Sequence, residues 1–125
     1  MIFGIGTDIA AVARLASLFE RHGAAAAGKL LAPAEMADFE KAGEKGRFLA
    51  KRFAAKEAFG KALGTGVRAP ATLPAIAVIH DELGRPLFSY SGELAALMNT
   101  RGLSAHLSIS DEHDYAVAFV ILEQT

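Results

Sequence analysis

The chain has 125 residues, a formal net charge of -1 and no cysteine. That length fits one domain, residues 1–125, and 52% hydrophobic residues can furnish its core. The charge balance excludes a global footprint for nucleic acid. The missing thiols exclude disulfides, thiolate catalysis and cysteine-held zinc, which accords with a reducing cytoplasm.

No apolar run approaches the roughly 20 residues of a membrane helix. The first residues reach Asp8 without the basic start of a signal peptide. Ile2, Phe3 and Ile5 predict a short buried strand. Gly4 and Gly6 interrupt it, as glycines do where backbone twists or something approaches closely. Val12, Leu15, Ala16 and Phe19 then recur at helical spacing, and Gly23 ends that helix. Asp8 is read in two ways: as the N-cap of this helix, or as a metal ligand at the end of a buried strand. Arg14 and Arg21 share one helix face, either solvated or a docking stripe for an acidic partner. A short helix is expected over Ala24 to Leu31, and Pro33 opens another with Glu35, Met36 and Phe39.

The stretch from Arg47 to Gly66 predicts the longest helix. Ala, Leu, Lys, Glu and Arg dominate it, and Gly64-Thr65-Gly66 stops it. Phe48, Ala55, Phe59 and Ala62 fall on one side, Glu57 and Lys61 nearly opposite. Arg52 and Lys56 form a second basic ridge. One carboxylate, Glu57, thus stands among Lys51, Arg52, Lys56 and Lys61. That suits a polyanionic ligand with a metal beside it. The plain alternative is a core helix with an ordinary i,i+4 pair.

Beyond Gly66 the pattern turns to strands. Ile76 to His80 and Leu87 to Tyr90 flank a turn-rich segment. Gly92 to Arg101 predicts a helix with Leu94, Leu97 and Met98 inward. Ser104 to Ser110 alternates, with His106, Ser108 and Ser110 on one face. That face is either a solvated edge or the lining of an anion pocket. Tyr115 to Glu123 is apolar on both faces and so should be central. The order of elements predicts α+β, with a long central helix packed on a mainly antiparallel sheet. Neither a dinucleotide fingerprint nor a P-loop is present, and the histidines lack zinc spacing.

Three segments together carry a resemblance. They are Gly4-Ile5-Gly6-Thr7-Asp8-Ile9 with Arg14; Arg52-Phe53-Ala54-Ala55-Lys56-Glu57-Ala58 with Lys61-Ala62-Leu63-Gly64-Thr65-Gly66; and His106-Leu107-Ser108-Ile109-Ser110. The chain resembles the holo-acyl-carrier-protein synthases, the short bacterial type of 4′-phosphopantetheinyl transferase. The resemblance implies that fold, and a reaction that moves the phosphopantetheine of coenzyme A to a serine of apo acyl carrier protein for fatty acid biosynthesis. It implies Mg²⁺ on Asp8 and Glu57, with Lys61 catalytic beside them. Coenzyme A contacts fall on Arg52, Phe53, Lys61, Gly64, Thr65, Gly66, His106 and Ser110. Carrier docking falls on Arg14, Arg21 and Lys29, although Ala24 to Gly28 replace the further basic residues often found there. It also implies a cytoplasmic homotrimer with sites between subunits. A nucleotide-binding module without turnover would lack Asp8 or Glu57; an inert scaffold would leave the Asp8, Glu57 and Lys61 combination unexplained.

Overall fold

A computed structural model describes residues 1–125. The chain runs through β1 (Ile2–Ala11), α1 (Val12–His22), α2 (Ala24–Leu30), a 3₁₀ turn (Pro33–Glu35), α3 (Met36–Lys41) and α4 (Lys45–Leu63). Then come β2 (Ile76–His80), β3 (Pro86–Tyr90), α5 (Gly92–Thr100), β4 (Leu103–Asp111) and β5 (Tyr115–Gln124). One sheet has the order β1-β5-β4 and is antiparallel throughout; β2 and β3 form a separate antiparallel hairpin. The α+β expectation holds, as do the long helix and the central place of β5.

α4 is the axis of the core. Twelve of its 19 residues are buried, against β1 and β5 on one side and α1 on another. It ends at Gly64, whose φ of 91° provides the left-handed cap.

The glycines of β1 explain how the sheet meets this helix. A Cβ on Gly4 would lie 1.9 Å from the Ala62 carbonyl oxygen, and one on Gly6 would lie 2.1 Å from that of Ala58. Strand backbone therefore rests directly on helix backbone, which only glycine permits. The close-approach reading of these residues is correct.

The reading of Ile2, Phe3 and Ile5 as buried is not. The strand alternates so that Gly6, Asp8 and Ala10 face α4, while Ile5 and Ile9 point away and are each 60% exposed. β5 does the same. Ala116, Ala118, Val120 and Leu122 are buried, whereas Val117 and Phe119 lie open on the outer face. The apolar second face of the central strand is real, but nothing in this chain covers it.

β1 also runs further than expected, and Ala11, not Asp8, precedes the first turn of α1. The N-cap reading of Asp8 is thereby removed. It lies inside the strand, on the face toward α4.

A buried ionic cluster ties the other side of α4 to the rest of the chain. Glu35 and Lys56 are both 0% exposed and Arg52 is 6% exposed. Glu35 Oε1 accepts from Lys56 Nζ at 2.5 Å and from the Ala32 N–H at 2.8 Å. Its Oε2 accepts from Arg52 Nη1 and from the Val78 N–H, both at 3.0 Å. Lys56 donates further to the Leu30 and Leu73 carbonyls, at 2.7 and 3.0 Å. Burial pushes the Lys56 ammonium below its usual value, and the Glu35 charge opposes that shift. No buried side-chain nitrogen or oxygen lacks a partner, the condition under which buried charge is tolerable.

The backbone contact at β1 gives a direct test. Gly6→Ala should cost about 3 kcal/mol, because neither backbone can give way. A lowered urea midpoint would show it; an unchanged midpoint would contradict the contact.

Candidate active site

Asp8 and Glu57 come from elements far apart in sequence and meet across the β1–α4 contact. Gly4 and Gly6 set the strand against the helix, and Asp8 follows on the same face. Glu57 and Lys61 are one helical turn apart on α4. Lys61 Nζ lies 3.3 Å from Asp8 Oδ1 and donates to the Thr7 carbonyl at 2.9 Å. The expected Glu57–Lys61 pair is thus replaced by one between Lys61 and Asp8.

The Glu57 carboxyl is left without an ion-pair partner. Burial raises its pKa first and the Asp8 charge raises it further, while Lys61 and Arg14 pull it down. Two carboxylates here face two cations, and burial more than the neighbouring charge is what raises Glu57.

The donor set fits Mg²⁺. Asp8 and Glu57 offer hard carboxylate oxygens, and no third histidine, cysteine or acid joins them. Two protein carboxylates, with substrate phosphates and water completing an octahedron, are how this ion is ordinarily held. A cation there would also relieve the repulsion that raises Glu57.

Arg14 belongs to the same neighbourhood. Its guanidinium lies 5.4 Å from the centroid of the Phe53 ring, a cation–π contact, and its charge reaches Glu57. Arg21 lies farther along α1 and bonds weakly to its own helix, at the Ser17 carbonyl. Lys29 lies on α2, where it lines an apolar cavity of about 390 Å³ with Leu18, His22, Ala26 and Leu30.

Two expected coenzyme A contacts already carry bonds within the chain. Arg52 is not a free cation. Besides Glu35, its Nη1 donates to the Val78 carbonyl at 2.5 Å, and its guanidinium lies over the Phe48 ring. It does line a cleft of about 180 Å³ with Lys51, His80, Gly84 and Pro86. Burial, and then the Arg52 charge, hold His80 below its usual value there. The second is Gly64-Thr65-Gly66. The Gly64 N–H bonds to the Gly60 and Lys61 carbonyls, and the Gly66 N–H to Gly60. Both donors serve the helix end. The basic ridge of Arg52 and Lys56 likewise turns inward.

His106, Ser108 and Ser110 lie on the outer face of β4, opposite Ile121, Phe119 and Val117 of β5. His106 Nε2 is 2.6 Å from Glu123 Oε1. β5 separates β4 from β1, and Asp8 faces the other side of the sheet. Within one chain the carboxylate pair and the His106–Ser110 row do not form one site.

A model of the 4′-phosphopantetheinyl transferase superfamily matches residues 4–120. The chain belongs to this superfamily. A holo-(acyl-carrier-protein) synthase from Dechloromonas aromatica is 68% identical over 123 residues, 98% of each chain. The crystal structure of a holo-(acyl-carrier-protein) synthase from Neisseria meningitidis superposes with a TM-score of 0.95 at 46% identity, over 99% of this chain and 100% of that one. A Bacillus anthracis synthase in complex with CoA (3′,5′-ADP) gives 0.83 at 32% identity, covering 100% and 99%. The transferase fold expected from the sequence is therefore the fold observed.

For this transferase, Glu57 sets a pH test. Its carboxyl binds a proton more tightly folded than unfolded. Stability therefore falls as pH rises from the ordinary glutamate range through the raised value, and stays lower above it. Glu57→Gln should flatten that fall and melt no lower than the parent chain at pH 7, while transferring little. A melting temperature lower at pH 7, or full transfer, would contradict this account of Glu57.

Proposed function

We propose that this chain transfers the 4′-phosphopantetheine of coenzyme A to a serine of apo acyl carrier protein, and that Asp8, Glu57 and Lys61 carry the reaction. The supporting observation is the pairing of Asp8 and Glu57 beside Lys61, in a member of the superfamily whose relatives are holo-(acyl-carrier-protein) synthases.

The carrier's serine oxygen forms a bond to the phosphorus that bears the pantetheine arm. The bond from that phosphorus to the bridging pyrophosphate oxygen breaks. The electron pair leaves with adenosine 3′,5′-bisphosphate, and the serine loses its proton. Asp8 and Glu57 would hold Mg²⁺, which supplies positive charge against the pyrophosphate. Lys61, half exposed and anchored to Asp8, is the chain's own cation for the leaving phosphate. A Glu57 carboxylate oxygen not given to the ion would accept the serine proton. The nucleophile comes from the partner, so the chain needs no activated serine or cysteine of its own.

Arg14 beside Phe53, with Arg21 further along α1 and Lys29 on α2, forms the docking side for an acidic carrier. Steering of this kind weakens with salt. Fatty acid biosynthesis is the expected destination of the product. The dependence on coenzyme A makes the cytoplasm the expected compartment, and no helix is long and apolar enough to cross a membrane.

The working form is a homotrimer of this single transferase domain. The outer sheet face offers Ile5, Ile9, Val117 and Phe119 to solvent, an apolar patch of the kind that marks an interaction surface. In the trimer that the family resemblance implies, His106 and Ser110 of a second copy would complete the site of the first copy's Asp8 and Glu57. Coenzyme A would then lie between subunits, with Phe53, the 64–66 turn and the Lys51–Arg52–His80 cleft as further contact regions.

The decisive assay incubates the protein with coenzyme A, Mg²⁺ and apo carrier. The carrier should gain the mass of one phosphopantetheine, at a rate that falls with salt and with Arg14→Glu. Binding of coenzyme A without that gain would reduce the protein to a nucleotide-binding module. Light scattering should give three times the chain mass, and Phe119→Glu should lower both the mass and the transfer. A monomer that transfers at full rate would remove the shared site.

A further inference from the structure

Glu35 and Lys56, buried together, have no part in the chemistry above, yet they hold the helix that carries Glu57. The surface of α4 against β1 is built from small residues, Ala58 and Ala62 meeting Gly4 and Gly6; β5 adds Ala116 and Ala118 beside Val120 and Leu122. Such surfaces set how closely two elements approach. They offer shallow ridges, and so resist rotation or sliding weakly. Phe59 packs edge-on against Phe88 and tilted against Tyr90, contacts that are not directional in the way hydrogen bonds are.

Lys61 bonds the exposed side of α4 to Thr7 and Asp8, and Arg47 bonds its first turn to Asp111. On the buried side the directional contacts come from Lys56 and Arg52, one turn apart. The three acceptors of Lys56 lie at the end of α2, on the 3₁₀ turn and in the segment before β2. Arg52 adds Val78 of β2. Glu35 joins the two cations and is itself fixed by the Ala32 and Val78 N–H groups. Glu57 follows Lys56 directly, about 100° around the helix. A change in the length of the Glu35–Lys56 link therefore turns or shifts Glu57 relative to Asp8, which rides on a different element.

We propose that Glu35 is a positioning residue for the transfer reaction: through Lys56 it fixes the rotation of α4 and thereby the distance from Glu57 to Asp8. This rests on the transferase reading of that pair.

The test compares Glu35→Asp, which keeps the charge and removes one methylene, with Lys56→Arg, which keeps the opposite charge on a longer side chain. Each is assayed at a temperature where circular dichroism shows it folded. Both should lower kcat on the order of tenfold to a hundredfold, as displacement by about 1 Å does. Both should raise the Mg²⁺ concentration for half-maximal rate and leave KM for coenzyme A near the parent value. Crystal structures of the variants should show the Glu57 carboxylate moved relative to Asp8. A purely structural role would lower the folded fraction and the rate amplitude without shifting the Mg²⁺ dependence, and that result overturns the proposal. So does a folded variant with Glu57 in place and full kcat. If the parent chain itself transfers nothing, the transferase reading fails. The crystal structures then still decide whether Glu35 sets the Asp8–Glu57 distance.

Discussion

Everything at the site depends on one contact, the backbone of β1 lying directly on the backbone of α4. Gly4 and Gly6 make it possible, because any Cβ there would collide with the Ala62 or Ala58 carbonyl. The strand then delivers Asp8 onto the helix face that carries Glu57 and Lys61. Two like charges brought together in this way cost stability. That cost is tolerated where a cation or a proton is to be held.

The opposite side of the helix is organised on another principle. There Glu35, Arg52 and Lys56 bury full charges with every polar atom partnered. Replacing such a cluster with apolar groups can be neutral for stability, whereas breaking it by removing one member is costly. Directional bonding is what the cluster adds to a core otherwise built of alanine and larger apolar side chains such as Leu49, Phe59 and Leu122. One helix thus carries two sets of charges with opposite duties. Those that face inward define its place. Those that face β1 meet Asp8 nearer the surface, with Lys61 half exposed.

Much of this can be read from the residues, and the limits have physical causes. The alternation in β4, the glycine stops at Gly23 and Gly64, and the length of α4 are local properties that periodicity and cap chemistry reveal. The Asp8 and Glu57 carboxylates stood out as well. What local pattern could not show was which cations are spoken for. Arg52 and Lys56 have the same spacing whether they meet a phosphate or a buried acid, and the deciding partner, Glu35, lies on a separate turn. The Pro33-Ala34-Glu35 run carried a signal, since an acid three residues after a helix-entry position often reaches back to backbone, as Glu35 does to Ala32. The outer sheet face failed in a different way. Apolar residues on both faces of a strand indicate burial, but not by which chain. Hence Ile2, Phe3 and Ile5 were expected inside and are found exposed.

A crystal structure with coenzyme A and Mg²⁺ would test the central claim most directly. The account predicts one ion shared by Asp8 and Glu57 of one copy, against a pyrophosphate whose nucleotide is also touched by His106 or Ser110 of a second copy. An ion bound elsewhere, or a coenzyme A held within a single chain away from those carboxylates, would contradict it.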